Sequence, residues 1–282
     1  MRATPIPVSI RRRIGLAFLL VPPLVWLVVA YLGSLAVLLV SAFWTTNSFT
    51  GAVVHRFTTD NVVRVFTDAV FRAVTVRTVS VALLVTLICI VLAVPLALFM
   101  AKVASPQVRL LLVIAVTTPL WASYLVKAYA WRMLLSPEGP LSWAGGYTPG
   151  YGLAATVVTL TYLWLPYMII PVFAAFDRVP DSLIDASSDL GASDFSTMRM
   201  VVAPLVFPGI AAGSIFTFSL SLGDYIAVTI VGGKTQLLGN IIYGQLVTAN
   251  NQPLAAALSL IPLAAIILYL LAMRRTGALE NV

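Results

Sequence analysis

The sequence predicts an all-α membrane protein with six transmembrane helices, and two observations carry this prediction. Its 282 residues are 60% hydrophobic and 10% charged, and their mean hydropathy is +1.00. Soluble domains are about 45–50% apolar and about 25% charged, so this excess cannot be buried in one core and lipid must cover most of the surface. The second observation is a series of apolar runs of about 20 residues, the length with which a helix crosses a hydrocarbon core roughly 30 Å thick.

Six apolar runs define the expected spans, and together they form one transmembrane domain over residues 1–282 without a separate soluble domain. The first run follows the three arginines of 11–13, which would also suit a signal peptide. Its apolar stretch is longer than the about 7–15 residues of a signal peptide's apolar region, so we expect it to stay in the chain. The expected spans are 15–43, 75–100, 109–135, 152–176, 207–231 and 254–273.

The distribution of basic residues predicts that both termini are cytoplasmic. An even number of spans puts both termini on the same side of the membrane. With that side in the cytoplasm, ten Lys and Arg residues lie in inner segments and five lie in outer segments, while Lys127 and Arg132 fall within the third run. Basic residues are usually in excess on the cytoplasmic side, so we expect the orientation N-in, C-in, with His55 outside.

The sequence also excludes several classes of function. His55 is the only histidine and falls in an outer loop, and Cys89 is the only cysteine, so we expect no Ser-His-Asp triad, no HExxH zinc site and no thiolate cluster. We therefore expect no metal and no cofactor in this chain. The GGKT of 232–235 would need glycine in place of Val228 to form a phosphate-binding loop. The net charge of +7 comes without a basic stripe interleaved with aromatic residues, so no nucleic acid partner is expected.

One long polar connection, 177–203, interrupts the apolar sequence on the inner side. Its acidic residues Asp181, Asp185 and Asp189 are spaced by four and therefore share one face of a short helix. Like charges at this spacing cost a helix about 0.2–0.5 kcal/mol per pair. A basic surface on a partner would offset that repulsion, whereas the alternative is an acidic face that contacts only water.

The ends of this short helix are also marked in the sequence. Pro180 suits its first turn, and Gly191 supplies the left-handed residue with which helices commonly end. Ser193 can then cap a second short helix that runs to Pro204. The connection is therefore predicted to consist of two short helices that meet near Gly191.

The same connection resembles the EAA loop of permease subunits of binding-protein-dependent ABC importers. In that pattern an acidic residue and two alanines are followed at fixed spacings by glycine, isoleucine and a leucine-proline pair. This chain keeps every spacing in "DASSDLGASDFSTMRMVVAP" (185–204), with Asp185 for glutamate, Ser187 for the second alanine, Val201 for isoleucine and Ala203 for leucine. The resemblance implies a type I ABC importer permease fold, in which this loop is a coupling helix that docks into a separate ATPase subunit.

The resemblance assigns the contact with the ATPase to residues of this loop and to the proline that ends the pattern. These residues are Asp181, Leu183, Ile184, Asp185, Ala186, Ser187, Asp189, Leu190, Gly191 and Pro204. It also implies that ATP and Mg²⁺ bind to the ATPase subunit, so this chain would be no enzyme and would contain no catalytic residue.

Three further stretches, 119–135, 162–193 and 221–242, resemble the permeases of spermidine/putrescine importers. This resemblance implies polyamine import by alternating access across the inner membrane of a bacterium. The implied partners are a second permease, an ATPase dimer and an external binding protein. Sulfate, molybdate and ferric-iron importers share the loop, so their substrates remain alternatives. A passive channel is the alternative from another class, but it would have no use for an ATPase-docking loop.

Asp224 is the only acidic residue within a predicted span. A carboxylate inside a membrane is costly without a partner and usually functional, and a polycation is an apt partner. The aromatic side chains expected on the same pathway are Tyr225, Trp121 and Tyr124, whose faces attract ammonium groups. Lys127 is the remaining candidate on the pathway, where it would instead favour an anion.

Alternative roles remain open for residues of these two spans. Asp224 could be held in a structural ion pair with Lys127 or Arg132. Lys127 could also extend its ammonium group to the membrane interface. Tyr129 and Trp131 fit better in the aromatic belt at the outer interface than on the pathway.

Overall fold

Helices form nearly all the regular structure of the computed structural model, which describes residues 8–47, 50–143, 145 and 148–275. The α-helices are α1 Val8–Leu27, α2 Gly33–Ser41, α3 Asp60–Thr67, α4 Ala69–Leu98, α5 Pro106–Trp121, α6 Tyr124–Leu134, α7 Pro140–Trp143, α8 Leu153–Asp177, α9 Asp181–Asp189, α10 Asp194–Thr197, α11 Ala203–Gly223, α12 Ile226–Val231, α13 Leu238–Tyr243 and α14 Gln252–Arg275. The π-helical segments Val28–Leu32, Phe99–Val103, Met198–Val202 and Gly244–Thr248 each continue a helix, and the antiparallel strands β1 Thr45–Thr46 and β2 Val53–Val54 form a short hairpin.

Within the described residues, five helices are long and apolar enough to cross a membrane, and a bent helix pair brings the number to six. The five helices are Phe18–Ser41, Ala69–Val103, Leu153–Asp177, Asp194–Gly223 and Gln252–Arg274, and the bent pair is Pro106–Trp121 with Tyr124–Leu134. The predicted all-α membrane fold with six spans is therefore confirmed, with the bent pair as the third span. Because helices continue beyond the apolar run into polar sequence, the second span begins at Ala69 and not at 75.

Two of the predicted spans were wrong as single straight helices. The third, 109–135, bends by 100° between α5 and α6, because the backbone at Ala122 and Ser123 is extended and interrupts the helical hydrogen bonds. The fifth, 207–231, ends as a helix at Gly223 and restarts as α12 at Ile226, because the backbone at Asp224 is extended as well.

The core of the molecule lies between α4, α8 and α11. Its buried side chains include Val85 and Cys89 on α4, Met168 on α8 and Val206 on α11. The approach of α8 and α11 is close, since a Cβ on Gly213 would lie 2.7 Å from the sulfur of Met168. Small residues allow such close approach between membrane helices, so these helices are the rigid frame around which the site is built.

The first span contributes little to this core. The most apolar window of Phe18–Ser41 has none of its residues buried within the described structure. Only its C-terminal end, at α2, joins a cluster of buried residues. There Leu38 and the following Ala42 pack with Leu254 and Leu258 of α14. Most of the apolar surface of this span therefore faces away from its own chain.

Candidate functional site

The short acidic helix expected in the polar connection is present as α9. It begins directly after Pro180 and is followed by Leu190 and by Gly191, whose φ of +80° is the left-handed conformation expected from the sequence. Leu190 is 90% exposed. The loop therefore presents an apolar side chain directly after the end of α9.

The segment after Gly191 differs from the prediction in one respect. Ser193 does cap α10, because its Oγ accepts a hydrogen bond from the amide of Ser196 at 3.3 Å. The helix does not end at Pro204, however. It passes through the π-helical segment Met198–Val202 into α11, so Pro204 lies inside the continuous helix Asp194–Gly223, just after that π-helical segment. Proline is tolerated inside membrane helices because neighbouring helices and local π-helical adjustments satisfy the backbone groups that it leaves free.

Apart from Pro204, the residues assigned to the ATPase contact lie on α9 or directly after it, and they divide into three sets. Ile184 packs against the main core and the Oγ of Ser187 lies 2.9 Å from the Oγ1 of Thr197, so both face the body of this chain. Asp181 is exposed but bonded to Lys102. The remaining members are exposed on the outer face or end of the loop. They are Leu183, Asp185, Ala186, Asp189, Leu190 and Gly191.

A second constellation lies where the third and fifth spans are interrupted. The hydroxyl of Tyr124, the first residue of α6, donates a hydrogen bond to Oδ2 of Asp224. Oδ1 of the same carboxylate accepts from the amide of Ala227 in α12 at 2.9 Å. Asp224 is only 7% exposed, and buried polar groups are stable when hydrogen-bonded in this way. The carboxylate thus joins both interruptions.

The expectation that Asp224 lies inside the fifth helix was wrong, and the alternative of an ion pair with Lys127 or Arg132 is not what the described residues form. The residue lies at the break. The ammonium group of Lys127 donates to the carbonyl of Pro119 at 3.0 Å. The guanidinium of Arg132 donates to the carbonyl of Ile230 and lies 4.8 Å from the ring centre of Tyr151. Both cations are therefore bonded to backbone carbonyls, and no salt bridge to Asp224 forms among the described residues.

A cavity of about 310 Å³ opens beside this carboxylate. Its lining residues are Tyr124, Trp164, Ser219, Leu220, Gly223, Asp224, Tyr225 and Ile226. The rings of Tyr124 and Trp164 lie 5.9 Å apart, and Tyr225 is backed by Tyr243 at a stacking distance of 4.8 Å. Aromatic faces and a carboxylate around one cavity are the groups that attract an ammonium ion.

Of the five pathway residues predicted from the sequence, the structure brings three together. Tyr124, Asp224 and Tyr225 line the cavity, whereas Lys127 does not, and Trp121 is 91% exposed at the end of α5. Trp164 is the aromatic lining residue that sequence reasoning missed. The apolar run that contains it was recognised as a span. Because the residues of such a run are apolar on every side of the helix, the sequence does not indicate which side lines a cavity.

A second cavity lies between α8 and α11, the helices that carry Trp164 and Ser219 of the first cavity, but nearer to α9. Its volume is about 490 Å³, and it lies between the last turns of α8 and the first turns of α11. It is lined by Pro171, Ala174, Ala175, Arg178, Pro204, Leu205, Pro208, Gly209 and Ala212. The groove between α8 and α11 therefore has open space both at the carboxylate and near the polar connection.

Comparison with known proteins identifies the family. The chain matches, over residues 48–276, the family described as binding-protein-dependent transport system inner membrane component. It is 41% identical over 286 residues to the inner membrane ABC transporter permease protein YdcU of Escherichia coli (strain K12), covering 95% of this chain and 91% of that protein. It is 32% identical over 217 residues to the spermidine/putrescine transport system permease protein PotB of the same organism, covering 72% and 77%. It is also 30% identical to the molybdenum transport system permease protein ModB of Mycobacterium bovis, covering 64% and 71%.

Solved structures support the fold. A chain of a bacterial ABC transporter involved in the import of alginate superposes with a TM-score of 0.72 at 17% identity, covering 95% of this chain and 97% of that one. The methionine ABC transporter MetNI superposes with a TM-score of 0.58 at 19% identity, covering 72% and 93%. With a family match over most of its length, six candidate spans and this architecture, the chain belongs to the family of inner membrane components of binding-protein-dependent transport systems, as a multi-pass permease.

Proposed function

We propose that this chain is the permease subunit of an ATP-driven importer that moves polyamines across the bacterial inner membrane. Residues 1–282 would act as one transmembrane domain with both termini in the cytoplasm and with 177–203 as the coupling loop. ATP and Mg²⁺ would bind to a separate ATPase dimer. A second permease, homologous or identical, and an external binding protein would complete the complex.

The outer face of α9 supports the coupling role. Asp185 and Asp189 are exposed, and neither forms an ion pair among the described residues. Leu190 extends the same end of the loop as an exposed apolar contact. An apolar side chain beside two unpaired carboxylates fits a docking cleft that is apolar at its centre and basic at its rim. Closure of the ATPase dimer would move this helix and switch the permease from inward-facing to outward-facing, and hydrolysis would reset it.

The cavity beside Asp224 carries the proposal for the substrate. Each oxygen of a carboxylate has two acceptor positions, so the bonds from Tyr124 and Ala227 leave room for an ammonium donor. Tyr124, Trp164 and Tyr225 add aromatic faces to the same cavity. The relatives named as spermidine/putrescine permeases point to the same chemistry. Polyamines carry several ammonium groups, and one of them would contact Asp224 during passage.

An oxyanion is the competing substrate, because one relative is named as a molybdenum permease. Lys127 would be the natural contact for an anion in this part of the third span. Its ammonium group instead bonds the carbonyl of Pro119, and it does not line the cavity. The charge that borders the cavity is the carboxylate of Asp224, which favours a cation.

Transport by the complete complex in proteoliposomes tests the proposal. The permease pair, the ATPase and the binding protein would be reconstituted with ATP on the ATPase side. We expect ATP-dependent accumulation of radiolabelled spermidine or putrescine and none of radiolabelled molybdate. Accumulation of molybdate alone would replace the polyamine by an oxyanion. Uptake that persists without ATP would point to a passive channel.

A further inference from the structure

Two basic side chains, one on each side of the turn between α4 and α5, bond the junction between α8 and α9. Lys102 lies in the π-helical segment Phe99–Val103, and its ammonium group donates to the carbonyl of Val179 at 2.5 Å and to Oδ1 of Asp181 at 2.7 Å. Arg109 on α5 donates to Oδ1 of Asp177 at 2.5 Å. The two ends of the junction are thus bonded to residues on either side of the same neighbouring turn.

The surroundings of the two cations differ. The side chain of Lys102 is 15% exposed and that of Asp181 is 81% exposed, whereas Arg109 and Asp177 are 36% and 45% exposed. Exposed ion pairs contribute only about 0–1 kcal/mol, so neither ion pair alone holds the junction firmly. Arg109 contacts only α8, through Asp177 and through the ring of Phe173 at 5.0 Å. Lys102 also bonds the carbonyl of Val179, which is itself buried. An ammonium group held by two acceptors in a mostly buried place fixes the first turn of α9 more firmly than one surface pair.

The position of Lys102 connects this first turn to the core. It follows Met100, which is buried in the main cluster together with Ala97 of α4 and Phe176 of α8. The same cluster includes Val206 of α11, and α11 ends beside Asp224. At its other end, α9 carries the exposed Leu190 and the left-handed Gly191. The coupling helix therefore has one end anchored to the core and one end open to a partner.

We propose that Lys102 is a positioning residue for energy coupling: it fixes the first turn of α9 to the end of α4, so that displacement of α9 by the ATPase moves the α4–α8–α11 core. The inference rests on the proposed function, because it requires an ATPase that docks on α9. Lys102 contacts neither the substrate nor ATP. Its effect appears in how much substrate is moved for each ATP hydrolysed.

Four single variants, and the double variant of Lys102→Met with Asp181→Asn, test this role in the complete reconstituted complex. Lys102→Met removes the ammonium group, Lys102→Arg retains a cation, and Asp181→Asn removes only the exposed partner. Asp194→Asn is the matched control, since Asp194 is an exposed acid in the first turn of the other short helix of the same loop and has no ion pair among the described residues. The measured quantity is polyamine uptake per ATP hydrolysed, with the amount of assembled complex determined by size-exclusion chromatography.

We expect Lys102→Met to lower uptake per ATP by roughly 2- to 30-fold, the range found for mutations that modulate coupling between sites. Lys102→Arg should restore most of it, and Asp194→Asn should match the wild type. Asp181→Asn should have a smaller effect than Lys102→Met and none when added to it, because residues that share one interaction are not additive.

Unchanged uptake per ATP in Lys102→Met, or equal losses in Asp181→Asn and Asp194→Asn, would overturn the inference. If Lys102→Met does not assemble, the comparison of Asp181→Asn with Asp194→Asn decides, because both side chains are exposed. A wild-type complex that fails to import polyamine would instead contradict the proposed function.

Discussion

The hydroxyl of Tyr124 donates a hydrogen bond to the carboxylate of Asp224, and this one contact joins the interruptions of two membrane-spanning segments. Tyr124 begins α6 after the 100° bend of the third span, and Asp224 follows the last residue of α11. Non-helical backbone at membrane depth is tolerated where it is buried in protein or lines a cavity. Both conditions hold here, since the carboxylate is buried and borders the cavity of about 310 Å³.

Removal of the Tyr124 hydroxyl should loosen this junction. Tyr124→Phe leaves the ring in the cavity but takes away a donor to Asp224, and an unsatisfied buried acceptor costs about 1–3 kcal/mol. We expect a lower thermal unfolding temperature in detergent and weaker polyamine uptake. Tyr129→Phe is the control, because Tyr129 is 58% exposed and lines no part of the cavity. The same loss of stability in both variants would mean that the hydroxyl of Tyr124 has no special role.

The left-handed residue after α9 should be required for coupling. At a φ of +80°, a β-branched side chain at position 191 adds strain of about 1–2 kcal/mol. We expect Gly191→Val to distort the end of α9, so that the loaded binding protein no longer stimulates ATP hydrolysis by the assembled complex. Gly33→Ala is the control, since Gly33 has a helical φ of −64° and open space around its Cα. Normal stimulation in Gly191→Val would show that this loop end is not the coupling element.

The charge of α9 should matter separately from its shape. Asp185 is exposed in the middle of the helix, so a substitution there leaves the backbone and the core contacts of Ile184 intact. We expect Asp185→Lys to weaken binding of the ATPase through repulsion from a basic cleft, measured as co-purification of the two subunits at low and high salt. Because salt screens exposed charges, the defect should shrink at high salt. Co-purification equal to wild type at low salt would contradict a basic cleft.

The orientation in the membrane follows from the charge distribution and can be tested directly. Single cysteines at positions 12, 55 and 275 would be labelled from outside with an impermeant thiol reagent in a Cys89→Ala background. Cys89 is the only native cysteine, so its replacement leaves the introduced cysteine as the only thiol. It is fully buried in the core, and alanine is a small replacement for it. We expect labelling at position 55 only. Labelling at position 12 without labelling at position 55 would reverse the orientation.

The sequence predicted the six spans and the acidic helix because both leave a strong pattern. Lipid demands about 20 apolar residues in a row, and a helix with Asp residues every fourth position has one acidic face. The bend at Ala122 and Ser123 left no such pattern in the sequence. A hydropathy profile records only how apolar a segment is, and it does not change when the helix bends within that segment. The break at Asp224 was concealed in the same way, although the carboxylate itself was recognised as exceptional.

Side-chain direction was the other property that the sequence left open. The spacing of α9 defined its faces but not which face meets the body of the protein, so Ile184 and Ser187 were assigned to the ATPase although they pack inward. Which face turns inward is a matter of tertiary contacts, among them the bonds from Lys102 to Val179 and Asp181 at the start of α9. Those bonds join residues far apart in the sequence, and no local pattern predicts them.

The most direct test of the central claim is spermidine uptake by Asp224→Asn in the complete reconstituted complex. Asparagine keeps the size of the side chain and removes its charge, so the substitution separates attraction for an ammonium group from packing. Asp68→Asn is the matched control, because Asp68 also accepts a backbone amide, that of Val70 at 2.8 Å, but lies at the start of α4 away from the cavity. Our account predicts normal assembly of both variants, near-normal uptake by Asp68→Asn and a severe loss of uptake by Asp224→Asn. Normal uptake by Asp224→Asn, or a loss that only reflects failed assembly, would contradict the role of this carboxylate in polyamine passage.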